Sequence, residues 1–205
     1  MKRKIDLDSW SRKEHFEFFS KFEEPFHGIT LEVDCTKSYK ACKASKDSFF
    51  LKYLHLSLTA VNATKAFKLR IIENEVYSFD TINASPTIPR PDGSFGFSYI
   101  DYLEDFEEFQ RKARKVIKEV EQSRGLDPAV SGENVVHYSS LPWLKFTSLS
   151  HARSYSFPDS CPKISFGKMT EIDGRKIMPT SVHAHHGLVD GRDVGLYMEH
   201  FQDLL

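Results

Sequence analysis

The sequence predicts one α/β domain over residues 1–205, with helices packed on a mixed β-sheet. Three observations predict it. Segments of helical and of strand periodicity are interspersed along the chain without a regular strand–helix–strand rhythm. No internal repeat, low-complexity tract or polar linker divides it. Hydrophobic residues make up 40% and charged residues 28%, enough apolar side chain for a sizeable core and too much for a disordered chain.

The elements follow from spacing. In DSWSRKEHFEFFSKF, Trp10, Phe16, Phe18, Phe19 and Phe22 stand among charges and predict a short amphipathic helix from near Ser11, capped by Asp8 or Ser9. ITLEVD, residues 29–34, alternates as a half-buried strand, and CTKSYKACKASKD reads as helical on its Lys and Ala content. Phe50, Tyr53, Leu54, Leu58 and Val61 recur at intervals of three and four, the pattern of a buried central helix. RIIENEVYSFD reads as two short strands about Glu73-Asn74. The prolines and glycines of INASPTIPRPDGSFGFSYID predict a mobile or binding loop near Pro86 to Gly96.

Tyr102 to Ser123 lacks Gly and Pro and aligns Phe106, Phe109, Ala113, Ile117 and Val120, which predicts a long surface helix ended by Gly125. Beyond Gly132, NVVHYSSLPWLKFTSLS, KISFGKM and EIDGRKIMPTSVHAHH read as strands, with Asp173-Gly174 as the hairpin turn between the last two. GRDVGLYMEHFQDLL closes the chain as a helix with Val194, Tyr197 or Met198, Phe201 and Leu205 on one face.

Lys and Arg number 28 against 29 Asp and Glu, a formal net charge of -1, so no global field favours nucleic acid. The three cysteines form no CxxC, and their odd count suits a reducing compartment, the cytoplasm. The basic start MKRKIDLDSW lacks an apolar stretch behind it, and no window approaches the ~18 apolar residues that span a bilayer, so neither secretion nor a membrane partner is expected.

The candidate chemistry concentrates in HAHHGLVDGRDVG, from His183. On a strand, Met178, Thr180, Val182, Ala184 and His186 would share one face, and Pro179, Ser181, His183 and His185 the other. His183 and His185 could then share a metal, although only His200 and Asp190 follow as further ligands. They could also be ordinary hydrogen-bonded strand residues. A third reading makes His186 a base at a strand end, since a neutral imidazole with a pKa near ~6.5 accepts a proton at physiological pH.

His185 to Gly191 also spell HHxxxDG, the motif of coenzyme A-dependent acyltransferases, and the flanking MPTSVHAHHGLVDGRDVG is similar to the chloramphenicol acetyltransferase family. WSRKEHFEFF, SSLPWLKFTSLS and CPKISFGKM resemble family segments in the same order. The resemblance implies a two-layer acyltransferase sandwich. It implies a homotrimer with active sites between subunits, where acetyl-CoA and a small hydroxylated acceptor approach from opposite ends of a tunnel, with no metal. By the same resemblance His186 is the general base, Ser139 steadies the oxyanion, and Ser165 replaces a family threonine. Asp190 and Arg12 match an internal ion pair that supports the catalytic segment, while Lys168 and Trp143 are CoA-binding candidates.

Such an assignment is chemically coherent. Acetyl transfer from a thioester to an alcohol needs a base for a weak nucleophile and a donor aimed at the tetrahedral oxygen. No GxSxG elbow advertises a covalent nucleophile, so transfer within a ternary complex is expected.

The chain also departs from the family. PTIPRPDGSFGFSYID lacks the histidine and acidic run of an FHxETETFS-like segment, Phe19 stands where tyrosine is common, and Met169 replaces an aromatic beside Lys168. Phe19, Phe95 and Phe97 are the acceptor-binding candidates, though Phe95, Phe97 and Tyr99 equally suit an alternating strand. Two other classes stay open: a catalytically inactive trimeric binding protein of the same fold, and a His/Asp metallohydrolase holding stoichiometric zinc.

Overall fold

The computed structural model describes residues 1–126, 132–153 and 159–205. In chain order it contains β1 (Lys2–Lys4), α1 (Lys13–Phe19), β2 (Phe26–Asp34), α2 (Thr36–Ser45), α3 (Phe49–Ala63) and a 3-10 turn (Lys65–Lys68). Then follow β3 (Leu69–Ile72), β4 (Glu75–Phe79), β5 (Asn83–Pro89), β6 (Phe95–Phe97) and α4 (Phe106–Gln122). The remainder is β7 (Val135–Ser140), β8 (Lys163–Phe166), β9 (Thr170–Ile172), β10 (Arg175–His185) and α5 (Gly191–Leu204).

The main sheet has the order β2-β10-β8-β7-β5-β6, with β9 paired to the far end of β10. Its β7 pairs are parallel and its other pairs antiparallel, so the sheet is mixed. One face carries Met178, Val182 and Ala184 of β10, Ile164 and Phe166 of β8, and Val136 and Tyr138 of β7, all in the main core beneath the helices. α3 is the centre of that layer. It buries residues on every side, including Leu54, Leu58 and Val61, and Ser57 at its middle bonds the hydroxyls of Tyr138 and Tyr197. A polar residue is tolerated there because each of its hydrogen-bonding groups finds a partner.

The opposite face is polar. His183, Ser181, Lys163, Ser165, His137 and Ser139 occupy facing positions on β10, β8 and β7. For β10 the alternation expected from the sequence matches: Met178, Val182 and Ala184 lie on the helix side and Ser181 and His183 on the other, because alternation on a strand dictates which residues share a side.

Several elements differ from the sequence expectation. Helix α1 begins at Lys13, with Arg12 as an N-cap that makes no side-chain cap bond; Asp8 instead pairs with the Lys13 ammonium at 2.6 Å. Pro86 to Pro89 belong to β5 and not to a loop, since β7 supplies a parallel ladder and β6 an antiparallel one. Only residues 135–140 of NVVHYSSLPWLKFTSLS are a strand. Pro142 has no N–H to extend a ladder, and the chain turns there, with Leu144 N–H donating to the Leu141 carbonyl. Helix α4 starts at Phe106 under an Asp105 cap and ends before Gly125, whose φ of 81° belongs to a later bend. A small sheet β1-β4-β3 was not legible in the N-terminal KRK.

The hairpins behave as expected. Glu73 and Asn74, with φ of 51° and 64°, and Asp173 and Gly174, with φ of 49° and 75°, are left-handed pairs of the kind that joins twisted strands. Gly28 has a different reason to be glycine. It lies opposite His183 on β10, and a Cβ there would sit 2.4 Å from His183 Nε2. Gly28→Ala is therefore expected to displace the imidazole and cost about 1–3 kcal/mol, measured as a lower urea midpoint. An unchanged midpoint would show that the ring is not confined. Among the described residues, no helix is long and apolar enough to cross a membrane.

Candidate active site

Strand β10 ends at His185, so His186 leaves the ladder and its backbone N–H donates to the Pro25 carbonyl at 2.8 Å. The strict alternation expected through His186 stops one residue early. His185 turns its Nδ1 back to accept the Gly187 N–H at 3.1 Å, which tightens the turn into α5. Asp190 then caps α5: its Oδ1 accepts from the N–H groups of Arg192 and Asp193, and Asp193 returns a bond to Asp190 N–H. This is a reciprocal capping box at the helix start.

Arg12 holds this turn from the other side. Its Nη1 donates to Asp190 Oδ2 at 2.6 Å, and its Nη2 to the His186 carbonyl at 3.3 Å. Burial alone would raise the Asp190 pKa, but the Arg12 bond and the capping N–H groups together hold it down at about 2. The carboxylate remains ionised, and its low pKa makes it too weak a base to draw a proton from an alcohol at neutral pH.

The His186 ring is bounded by two aromatic groups. Phe19 stacks on it at 4.0 Å between centroids and 4° between planes, and His27 lies at 4.3 Å and 33°. Two rings at such distances cannot occupy the same face, so they cover opposite faces. His186 Nδ1 is enclosed with no hydrogen-bond partner among the described residues. His27 was not singled out in the sequence: the alternating strand expected there began at Ile29, and the structure extends it back to Phe26.

The serines lie elsewhere on the chain. Ser165 pairs in register with Ser181 of β10 on one side and Ser139 of β7 on the other. Ser140 points to the helix side, where its hydroxyl meets Tyr53 OH at 3.1 Å, so alternation puts Ser139 on the polar face beside Ser165. Ser165 is fully buried and its hydroxyl lies 3.4 Å from His151 Nε2. His186 is five residues beyond Ser181, roughly 16 Å along the strand, so within one chain neither serine meets the His186 ring.

Phe95 and Phe97 stand on β6, four strands from β10, roughly 19 Å away across the sheet, and pack edge to face on each other. Phe19 alone of the three acceptor candidates touches His186. Trp143 is 64% exposed. The exposed Lys168 lies near it, because Lys168 N–H donates to the carbonyl of neighbouring Leu144 at 2.7 Å.

His183 packs edge to face on His151, and His185 is tied to its own turn. Among the described residues, no group of three or more His, Cys, Asp or Glu side chains is placed to hold a metal ion. The polar layer has an electrostatic consequence. Burial, aided by Lys163 near His137, His183 near His151 and Arg153 near His185, holds these three imidazoles at about 4.

Their folded values lie below the unfolded value of about 6.5, so the stability they lend is complete above that pH and is lost as pH falls towards about 4. The urea midpoint is expected to be lower at about pH 5 than at about pH 7. Equal midpoints would mean that these rings are protonated in the native state.

Comparison with known proteins decides the family. The sequence profile described as "Chloramphenicol acetyltransferase" matches residues 2–202. The chain belongs to the chloramphenicol acetyltransferase family. It is 26% identical over 201 residues to a chloramphenicol acetyltransferase of Escherichia coli, covering 97% of this chain and 91% of that one. It is 28% identical to the enzyme of Streptomyces acrimycini, covering 98% and 93%.

A solved chloramphenicol acetyltransferase superposes with a TM-score of 0.94 at 32% identity, covering both chains completely. A probable dihydrolipoamide acetyltransferase from Listeria monocytogenes shares the fold, with a TM-score of 0.70 at 14% identity over 98% of this chain and 92% of that one. The mixed α/β acyltransferase fold expected from the resemblance is thus present over the whole chain, and acetyl transfer from acetyl-CoA is the activity at the level of the family.

Proposed function

We propose that this chain transfers the acetyl group of acetyl-CoA to a hydroxyl of chloramphenicol or a related hydroxylated acceptor. His186 is the general base. The observation that carries this reading is the geometry around that ring: it is gripped on both faces, its backbone is tethered by Arg12 and Pro25, and its Nδ1 is enclosed, which leaves Nε2 for the acceptor.

Nε2 removes the hydroxyl proton as the acceptor oxygen attacks the thioester carbonyl. The resulting oxyanion is stabilised by a hydroxyl donor, for which Ser139 is the candidate, with Ser165 beside it. Collapse breaks the carbon–sulfur bond, and the departing thiolate takes the proton back from His186 to give free CoA and the acetyl ester. Asp190, ionised and bound to Arg12, supports the turn without exchanging a proton. Lys168 and Trp143, which lie near one another and exposed, suit the phosphates and the adenine of CoA. Phe19 forms one wall of the acceptor site, and Phe95 and Phe97 are the candidates for another.

The separation of His186 from Ser139 within one chain supports an active site shared between subunits of a homotrimer, His186 coming from one protomer and Ser139 from its neighbour. That arrangement has a distinctive test. His186→Ala and Ser139→Ala subunits, each impaired alone, are dissociated, mixed and reassembled; random mixing restores about a quarter of the sites. No recovery would place both residues in one subunit's site. The activity itself is checked by following release of CoA thiol from acetyl-CoA with and without chloramphenicol. Acceptor-dependent release is expected, and silence with chloramphenicol and with every other alcohol would leave the inactive binding protein as the better reading.

A further inference from the structure

From the geometry around the base we infer that His27 is a positioning residue for His186, the second half of an aromatic clamp that holds the imidazole in one plane. The inference rests on His186 being the base. His27 stands on β2, the edge strand paired with β10 from Ile177 to His185. Its Nε2 meets the Val189 carbonyl at 3.0 Å, and a carbonyl only accepts, so Nε2 carries the hydrogen. This bond anchors the His27 ring to the same turn that carries His186.

The ring then covers the face of His186 that Phe19 leaves open. Rotation of the His186 ring about its Cβ–Cγ bond must sweep its edges through one of these neighbours, so the clamp resists it. The clamp also suits the charge change of catalysis. When His186 takes the acceptor proton, the new imidazolium lies between two π faces, and the attraction grows as the charge develops. This requires His27 to be neutral.

The surroundings keep it so. The charged and titratable groups around His27 are His186 and Asp190 on the turn, His183 on β10 and Arg12 preceding α1. Burial first, and then the proximity of His186, lower the His27 pKa below the ordinary histidine value, against the opposing pull of the Val189 bond and Asp190. Two adjacent imidazolium rings would repel, so His27 remains uncharged while His186 accepts its proton.

Three substitutions separate the ring from its hydrogen bond. His27→Phe keeps an aromatic face and loses the Val189 bond; His27→Gln keeps a donor and loses the ring; His27→Ala loses both. The expected result is a kcat about tenfold lower for His27→Ala and His27→Gln, with KM for acetyl-CoA unchanged, and recovery of most of the kcat in His27→Phe. Equal rescue by Gln and Phe, an unchanged kcat in His27→Ala, or a loss confined to the acceptor KM would each overturn the inference.

A readout that needs no turnover separates this inference from the catalytic reading. NMR relaxation of the His186 ring carbons is expected to show a fixed ring in the unmodified protein and in His27→Phe, and a reorienting ring in His27→Ala. Identical relaxation in all three would refute the clamp even if His186 proves to be the base. If His186→Ala retains full activity, the catalytic reading fails on its own account, whatever the relaxation shows.

Discussion

Replacing His186 with alanine is expected to reduce acceptor-dependent CoA release by at least about a hundredfold, the usual scale for losing a general base. The fold should survive. The ring's stacking on Phe19 and His27 is lost, but the hydrogen bonds that tie this segment to its neighbours use the backbone of residue 186: its N–H donates to Pro25 and its carbonyl accepts from Arg12. The Asp190 capping box does not involve the ring. A variant with the circular dichroism and solution mass of the unmodified protein but without turnover would therefore locate the loss in chemistry.

The reverse result is equally plain. Residual activity within a few-fold of the unmodified protein would remove His186 from the reaction and leave no strong base in this turn, since the pKa values of Asp190 and His185, about 2 and about 4, make both weak proton acceptors at neutral pH. The KM for acetyl-CoA is expected to change little, because the role proposed for the imidazole is on the acceptor proton and not on the CoA body.

The second large effect concerns stability. Arg70 is 0% exposed, and its guanidinium donates to four backbone carbonyls, those of Phe67, Leu69, Glu133 and Val135. It ties the small sheet and the turn before it to the entry of β7, whose other end carries Ser139. A guanidinium suits this site because its five donors form a fixed planar fork, which can serve several carbonyl groups at once.

In Arg70→Met those carbonyls lose a donor that water cannot replace. Breaking a buried charged network costs about 3–5 kcal/mol, a large part of the 5–15 kcal/mol that stabilises a typical domain. The thermal midpoint is expected to fall by roughly 10 °C. A fall of less than about 2 °C would mean that the site repacks around methionine, and Arg70 would then be replaceable.

Much of the architecture was legible before the structure. The buried period of α3, the amphipathic α4, the 173–174 turn and the end of the chain as α5 all follow from spacing and turn chemistry. Errors arose where tertiary pairing overrode local signals. Pro86 and Pro89 look like loop residues, yet β5 is a strand because it is sandwiched between two partners. The N-terminal KRK has no strand pattern of its own and becomes β1 by pairing with β4.

The site divides along the same line. HHxxxDG is readable in the sequence by itself, and the family resemblance carried by it and by the ordered blocks pointed to the Asp190–Arg12 pair and to the two serines as candidates. The sequence also determined which residues of β10 face the helices and which face the polar layer. Only the tertiary structure decided that His27 covers the open face of His186, that Arg70 is buried among carbonyls, and that Ser139 and Ser165 lie far from His186 within one chain. Periodicity states which side of an element a residue occupies; it carries no information about which distant segment closes over that side, and that choice is made by packing.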